Sequence, residues 1–405
     1  SIKGLRQLIH CLEQQHLTRS AQQLRAATEA PATVCQPREP DRVRAERQVS
    51  YQPTQERQAA LTDLQSCISE LLRRYQVRLP MSLRHQLQAT SETAALFAQP
   101  QEEWITYIEY EAAAEGQIGV QFALCAVPRN QPKHLYRLLW QREKPTILTS
   151  GTLAVGHDFT HIRRQLGLDN GTAVQTVRVA SPFDYVQNCL LVFPPRSAVH
   201  KVDKPSGEEA SHECLARHIE QLIHEAHGHT LVLFTSYDQM GHVYEQLEGR
   251  LPVPLLKAPR GGHYFVEQFK LCDNAVLLAG GPCWEGVDFP GDMVSLLVIA
   301  RLPFPVPDPV REARRQQYPD LHSYIQAEIV PEMQQKLRQG FGRAIRTETD
   351  SCAVAILDPR AAPGGRYHKA VLDALPSGIP ITTKTEDIQT FLRARKSPDF
   401  FLPDF

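Results

Sequence analysis

Residues 339–350 read QGFGRAIRTETD and set two arginines, Arg343 and Arg346, three positions apart behind a glutamine and two glycines. A guanidinium is a planar fork of donors that matches the oxygens of an oxyanion better than an ammonium does. On a helix, residues three apart share a face, so the two are expected on neighbouring helical positions within reach of one site. Gly340 and Gly342 let backbone come close to a partner. Taken alone, the same residues also describe a surface ion-pair site near a helix end.

Two other stretches carry residue types suited to a ligand. GPCWEGVDFPGD, residues 281–292, follows an apolar run and holds Gly281, Gly286 and Gly291, which permit tight turns. Its plainer reading is an acidic loop packed by Trp284 and Phe289. FTSYD ends another apolar run with the hydroxyls of Thr235, Ser236 and Tyr237, which suit phosphate oxygens, and Tyr237 could stack on a base. A helix cap at Ser236 or Asp238 explains the same residues equally well. The histidines His212, His218, His224, His227 and His229 invite a metal, but HEAHGH places no His pair four apart around a Glu, so a surface helix is expected instead.

The elements that must position these residues fall into two styles. Residues 1–30 and 56–97 repeat apolar residues every three or four positions and predict helices, joined by a Pro- and Arg-rich connector. WITYIEY and GVQFALCAVP then predict paired strands, PKHLYRLLWQRE a helix, and TILTSGTL a further strand. Beyond them NCLLVF, TLVLFTS, AVLLAG, VSLLVIA and CAVAILD are short apolar runs separated by helical patterns such as ECLARHIEQLIHEA and YFVEQFKLC. That alternation predicts an α/β fold, a parallel sheet covered by helices on both faces, with ligands at the carboxyl ends of the strands.

The chain has 405 residues, enough for two or three domains, and a net charge of −1, so nucleic acid would have to be held by a local basic groove. Nine scattered cysteines with no CxxC give neither a disulfide framework nor a zinc or iron–sulfur spacing, and they point to a reducing cytoplasm. No apolar run approaches the roughly 20 residues that span a bilayer, so membrane insertion is not expected.

TILTSGTL (146–153), LVLFTSYDQM (231–240), GPCWEGVDFPGD (281–292) and QGFGRAIR (339–346) occur in an order that resembles the later motifs of superfamily 2 helicases, specifically the DinG and XPD branch. SPFDY, RLPFPVPDP and ILDPR strengthen the resemblance, which runs from about residue 100 to 380. It implies two RecA-like lobes that clasp ATP, with single-stranded or forked DNA across their tops. Residues 1–100 are then a helical arch-like region, 101–180 the tail of the first lobe, 181–382 a second lobe and 383–405 a carboxyl-terminal tail. By resemblance Arg343 and Arg346 are arginine fingers for the γ-phosphate, and Gln339 orients a phosphate or water. Glu285, Gly286, Asp288 and Gly342 adjoin the nucleotide, Asp288 accepting from the ribose or holding an arginine. Thr149, Ser150 and Thr152, with Thr235, Ser236 and Tyr237, meet DNA; Gly151 stands where the family has alanine.

The dipeptides Gly-Lys and Asp-Glu are absent, so neither a phosphate loop with its Lys nor an acidic magnesium box is present. The resemblance therefore implies the carboxyl-terminal portion of an ATP-dependent DNA helicase, its ATP and Mg2+ site completed by a first-lobe segment in cis or in trans, and inactive alone. Two alternatives stay open: a non-catalytic DNA-binding or regulatory subunit derived from a helicase, and an unrelated α/β enzyme using the Asp288 and Arg346 cleft for another phosphorylated ligand.

Overall fold

The computed structural model describes residues 2–15, 17–36, 48–75, 78–111, 121–141, 144–156, 158–169, 173–195, 207–259, 263–289 and 291–402. Most of the Pro- and Arg-rich connector (37–47) and Pro290 lie outside the described residues. The chain divides into two compact units: Ser1–Lys144 with Gln165–Asn170 and Val306–Tyr324, and Pro145–Arg164 with Gly171–Pro305 and Ile325–Phe405.

The first unit is built on the helices Ile2–Gln14, Thr18–Val34, Gln55–Arg74 and Met81–Ala98. Leu64, Ile68 and Leu71 recur along one face of the third helix, meeting Leu8, Leu12, Leu24 and Leu87 in a shared core. Its start is fixed by Thr54, whose side chain accepts from Arg57 N at 3.3 Å. Beside these helices lies an antiparallel sheet of β1 (Gln48–Ser50), β2 (Trp104–Glu111) and β3 (Gln121–Pro128), with β2 in the middle. Tyr51, Phe97, Ile108 and Phe122 join sheet to helices in one buried cluster. The expected division at residue 100 is thus not a boundary: β2 pairs with a strand that precedes two of the helices, and the unit runs on to Lys144.

The second unit is the expected parallel sheet, and it has seven strands where the sequence offered five. In chain order they are β4 (Cys189–Val192), β5 (Thr230–Leu233), β6 (Leu255–Lys257), β7 (Val276–Ala279), β8 (Leu296–Ile299), β9 (Cys352–Ile356) and β10 (Ile381–Thr382). Their order across the sheet is β10-β4-β9-β8-β5-β7-β6, every pair parallel. The runs are continuously apolar because both faces are covered. Leu231, Leu233, Leu277, Leu297, Ile299 and Val354 enter one core, while Val232, Val276, Leu278, Leu296, Val298 and Ala355 enter the other. The two added strands are three and two residues long, too short for a periodicity to be read.

One further expectation changes. TILTSGTL is an exposed extended loop, not a strand, with Ile147 92% exposed. The described part of the tail is folded: the helix Asp387–Arg393 buries Ile388 and Leu392, and Phe400 packs on the same core. No helix among the described residues is long and apolar enough to cross a membrane.

Candidate functional site

The loop that follows β7 is anchored by Trp284. Its indole donates from Nε1 to the Phe234 carbonyl at 2.9 Å, and the ring is 1% exposed. A Cβ on Gly340 would come within 2.7 Å of that ring, so glycine is what lets the helix Val330–Phe341 lie against it. Gly281 needs its freedom for two reasons: its φ is +52°, and a Cβ there would meet the Tyr237 hydroxyl. Trp284 and Phe289 are both buried, and between them Glu285, Gly286 and Asp288 face solvent. The plain reading is therefore realised: aromatic anchors hold an acidic loop outward.

Arg343 and Arg346 lie beyond the helix, which corrects the expectation that they occupy helical positions. The helix ends at Phe341 with Gly342 as its cap, and the backbone turns. Asp350, buried, then gathers the chain: its carboxylate accepts from Arg346 N at 2.7 Å, Thr347 N at 2.8 Å and Thr347 Oγ1 at 2.6 Å. This turn aims the two guanidinium groups at the acidic loop. Arg346 Nε lies 2.8 Å from Asp288 Oδ1, and Nη2 donates to the Val287 carbonyl at 3.5 Å.

Arg343 is different. Its residue is 8% exposed, and its Nε has no hydrogen-bond partner among the described residues. Burial pulls its pKa below the ordinary arginine value and Arg346 beside it adds to the pull, opposed by Asp288, Cys283 and Glu285. A buried cation is costly, and one that shares its nearby carboxylates with a second arginine is suited to accept an anion. The same neighbourhood leaves Cys283 a neutral thiol, since burial raises its pKa more than Arg343 lowers it. Gln339 sits half-buried in the last helical turn, its carboxamide not bonded to any described residue. The described residues contain no group of three or more His, Cys, Asp or Glu that could hold a metal ion.

The remaining expected residues form two further groups. Ser150 and Thr152 face each other, Oγ to Oγ1 at 3.2 Å, with Thr149 exposed beside them. The helix Val330–Phe341 holds this loop from below: Gln335 Nε2 donates to Thr152 O at 2.9 Å and Arg338 Nη1 to Ala154 O at 2.8 Å. These bonds replace the strand pairing that TILTSGTL was expected to make. At the end of β5, Thr235 and Ser236 are exposed, and Ser236 caps the helix Tyr237–Leu247 by accepting from Gln239 N at 3.3 Å. Tyr237 is half-buried beneath Gly280 and Gly281, so this ring ties the β5 loop to the β7 loop.

Sequence reasoning missed the residues that do the tying: Gln335, Arg338, Asp350, and a pair at the end of β9. There the buried Asp358 accepts from Leu302 N at 3.0 Å and from Arg360 Nη2 at 2.6 Å. Burial pushes that carboxyl up, but Arg360 and the Leu302 N–H outweigh it and hold it below the ordinary value. Only the ILDPR motif gave a signal here; single polar residues in helices and turns gave none. His227 and His229 are also not on a helix surface. Both are buried with positive φ in the turn before β5, and His229 stacks on Phe400 with ring centroids 4.0 Å apart.

A model of the helicase C-terminal domain matches residues 219–378. The chain is similar to the ATP-dependent DNA helicase DinG of Photobacterium profundum, 33% identical over 298 residues, covering 70% of this chain and 41% of that protein. It is also similar to the 3′-5′ exonuclease DinG of Bacillus subtilis, 30% identical over 282 residues, covering 68% of this chain and 30% of that protein. The solved structure of S. tokodaii Xpd4 shares the fold at a TM-score of 0.52 and 16% identity, over 94% of this chain and 71% of that one. The chain thus spans about two fifths of the length of the Photobacterium relative.

Proposed function

The chain carries a helicase C-terminal domain of the DinG/XPD-like kind, and from that premise we propose that it supplies the arginine fingers and part of the single-stranded DNA contact of an ATP-dependent DNA helicase. Residues outside this chain complete the ATP site on this reading. The observation that carries the proposal is Arg343: a buried guanidinium whose Nε has no described partner, beside an Arg346 already clamped by Asp288. Loss of a γ-phosphoryl group spreads negative charge over its oxygens, and a preset guanidinium stabilises that charge without having to reorganise. Arginine fingers are worth about 10³ to 10⁵ in rate, roughly 4 to 7 kcal/mol of barrier.

Roles follow from position. Arg343 meets the developing charge, and Arg346 stands beside it, oriented by Asp288. Gln339, half-buried in the last helical turn, orients the phosphate or the attacking water. Glu285, Gly286 and Gly342 bring backbone and a carboxylate to the nucleotide, while Thr149, Ser150, Thr152, Thr235 and Ser236 offer hydroxyls to the DNA backbone. Ser236 has a second duty as a helix cap, and the half-buried Tyr237 offers its ring to a base. On this reading the residues that hold Mg2+ beside the ATP phosphates lie outside this chain, as the missing acidic box implies.

The division of labour is testable on the 405-residue chain. It is expected to bind a fluorescein-labelled dT20 oligonucleotide in an anisotropy titration and to release no phosphate from ATP above background. Steady ATP hydrolysis by this chain would overturn the shared site, and failure to bind dT20 would overturn the DNA contact.

A further inference from the structure

Resting on the DNA-binding reading above, we infer that Arg301 is an additional phosphate contact for single-stranded nucleic acid, held ready by the buried Gln239. Arg301 lies just past the end of β8, which has β9 on one side and β5 on the other. The backbone on either side of it is pinned to those neighbours. Ala300 N donates to the Leu233 carbonyl of β5 at 3.1 Å, and Leu302 N to Asp358 Oδ2 beyond β9 at 3.0 Å. The loop therefore has little freedom, although the Arg301 side chain itself is exposed.

Gln239 explains how that side chain is aimed. It is 3% exposed, in the first turn of the helix that Ser236 caps. A guanidinium has only donors, so the amide oxygen is the atom that must face it; in that orientation it accepts from Arg301 Nη2 and Nε, each at 3.2 Å. The tie occupies one edge of the guanidinium, and the other makes no hydrogen bond or ion pair among the described residues. It also leaves the charge uncancelled, because an amide is neutral. Arg360 and Arg346 are instead paired with the carboxylates of Asp358 and Asp288. The nearest carboxylate in sequence to Gln239, Asp238, points at His242, 3.7 Å away.

A rigidly held, uncancelled guanidinium is the device that binds a phosphate oxyanion. Two sources of that chemistry exist, a nucleotide and a nucleic-acid backbone. Arg301 shares its end of the sheet with the exposed hydroxyls of Thr235 and Ser236 on the adjacent strand, and it makes no contact with Arg343, Arg346 or Asp288 among the described residues. The backbone of a single strand is the source these positions favour.

The test uses the 405-residue chain and dT20 across about 50 to 250 mM salt. Arg301→Gln is expected to weaken binding about tenfold at the low end and to lower the slope of log K against log salt by about 0.7, the loss of one phosphate contact on a single strand. Gln239→Leu keeps the charge but not the aim, and is expected to weaken binding severalfold with the slope unchanged. Thermal unfolding of both variants near the parent temperature separates these effects from misfolding. Wild-type binding with an unchanged slope in Arg301→Gln overturns this inference alone, as does a loss confined to a fluorescent ATP analogue. No binding of dT20 by the wild type overturns the DNA-binding reading as well.

Discussion

Arg343 and Arg346 have the same residue type and nearly the same place in sequence, yet the structure gives them different states. Arg346 is half-committed: Asp288 holds its Nε, and Asp350 holds its backbone N–H. Arg343 is buried, and its Nε has no hydrogen-bond partner among the described residues, which leaves it for a ligand. Asp350 decides both orientations, because it closes the turn that ends the helix. Asp350→Ala removes an acceptor of three hydrogen bonds and is expected to destabilise the second unit by about 2 to 3 kcal/mol, read from urea unfolding. His229 sets a pH limit at the opposite end of the sheet. Burial lowers its pKa from 6.5 to about 4. The unfolded chain then binds more protons than the folded one between those values, so stability is full above pH 6.5 and is lost as the pH falls towards 4, by up to about 3 kcal/mol. His229→Phe, which keeps the stack on Phe400, is expected to flatten that part of the stability–pH curve; an unchanged acid limb would remove His229 as its cause.

At the scale of elements, the site is an assembly of loops fixed by one helix. Val330–Phe341 touches the β7 loop through Gly340 and Trp284, holds the 152–154 backbone through Gln335 and Arg338, and hands the chain to the arginine turn. Its position therefore controls all three. Gly340→Ala forces a methyl into the Trp284 ring and is expected to cost about 1 to 3 kcal/mol while shifting the near-ultraviolet signal of that tryptophan. An alanine variant with parental stability would mean the helix can back away from Trp284 without penalty. This dependence also marks where the sequence was readable. Gly340 looked permissive beside the arginines, and it is indeed a contact glycine. The helix, however, ends at Phe341, five residues short of Arg346, because side-chain capture by Asp350 leaves no periodicity to detect.

At the scale of the molecule, the parallel sheet was legible because five of its strands are apolar on both faces, and motif order supplied the positions of Arg343, Arg346, Asp288 and the hydroxyl loops. TILTSGTL carries strand-like residues, but pairing needs a neighbour, and among the described residues helix side chains bond the Thr152 carbonyl and that of Ala154 just beyond it instead. The extent of the first unit was hidden for a related reason: β1 is three residues long and finds β2 across more than fifty residues of chain. Polar residues that position others, such as Gln239 and Asp358, leave no pattern until the backbone brings their partners together. The central claim is that positive charge from this chain stabilises phosphoryl transfer in a site completed elsewhere. Single-turnover ATP hydrolysis by a polypeptide that also carries the phosphate-loop lysine tests it most directly. Arg343→Ala is predicted to slow the chemical step at least ~10³-fold with DNA affinity within about threefold of the parent; a rate within a few-fold of the parent would contradict the account.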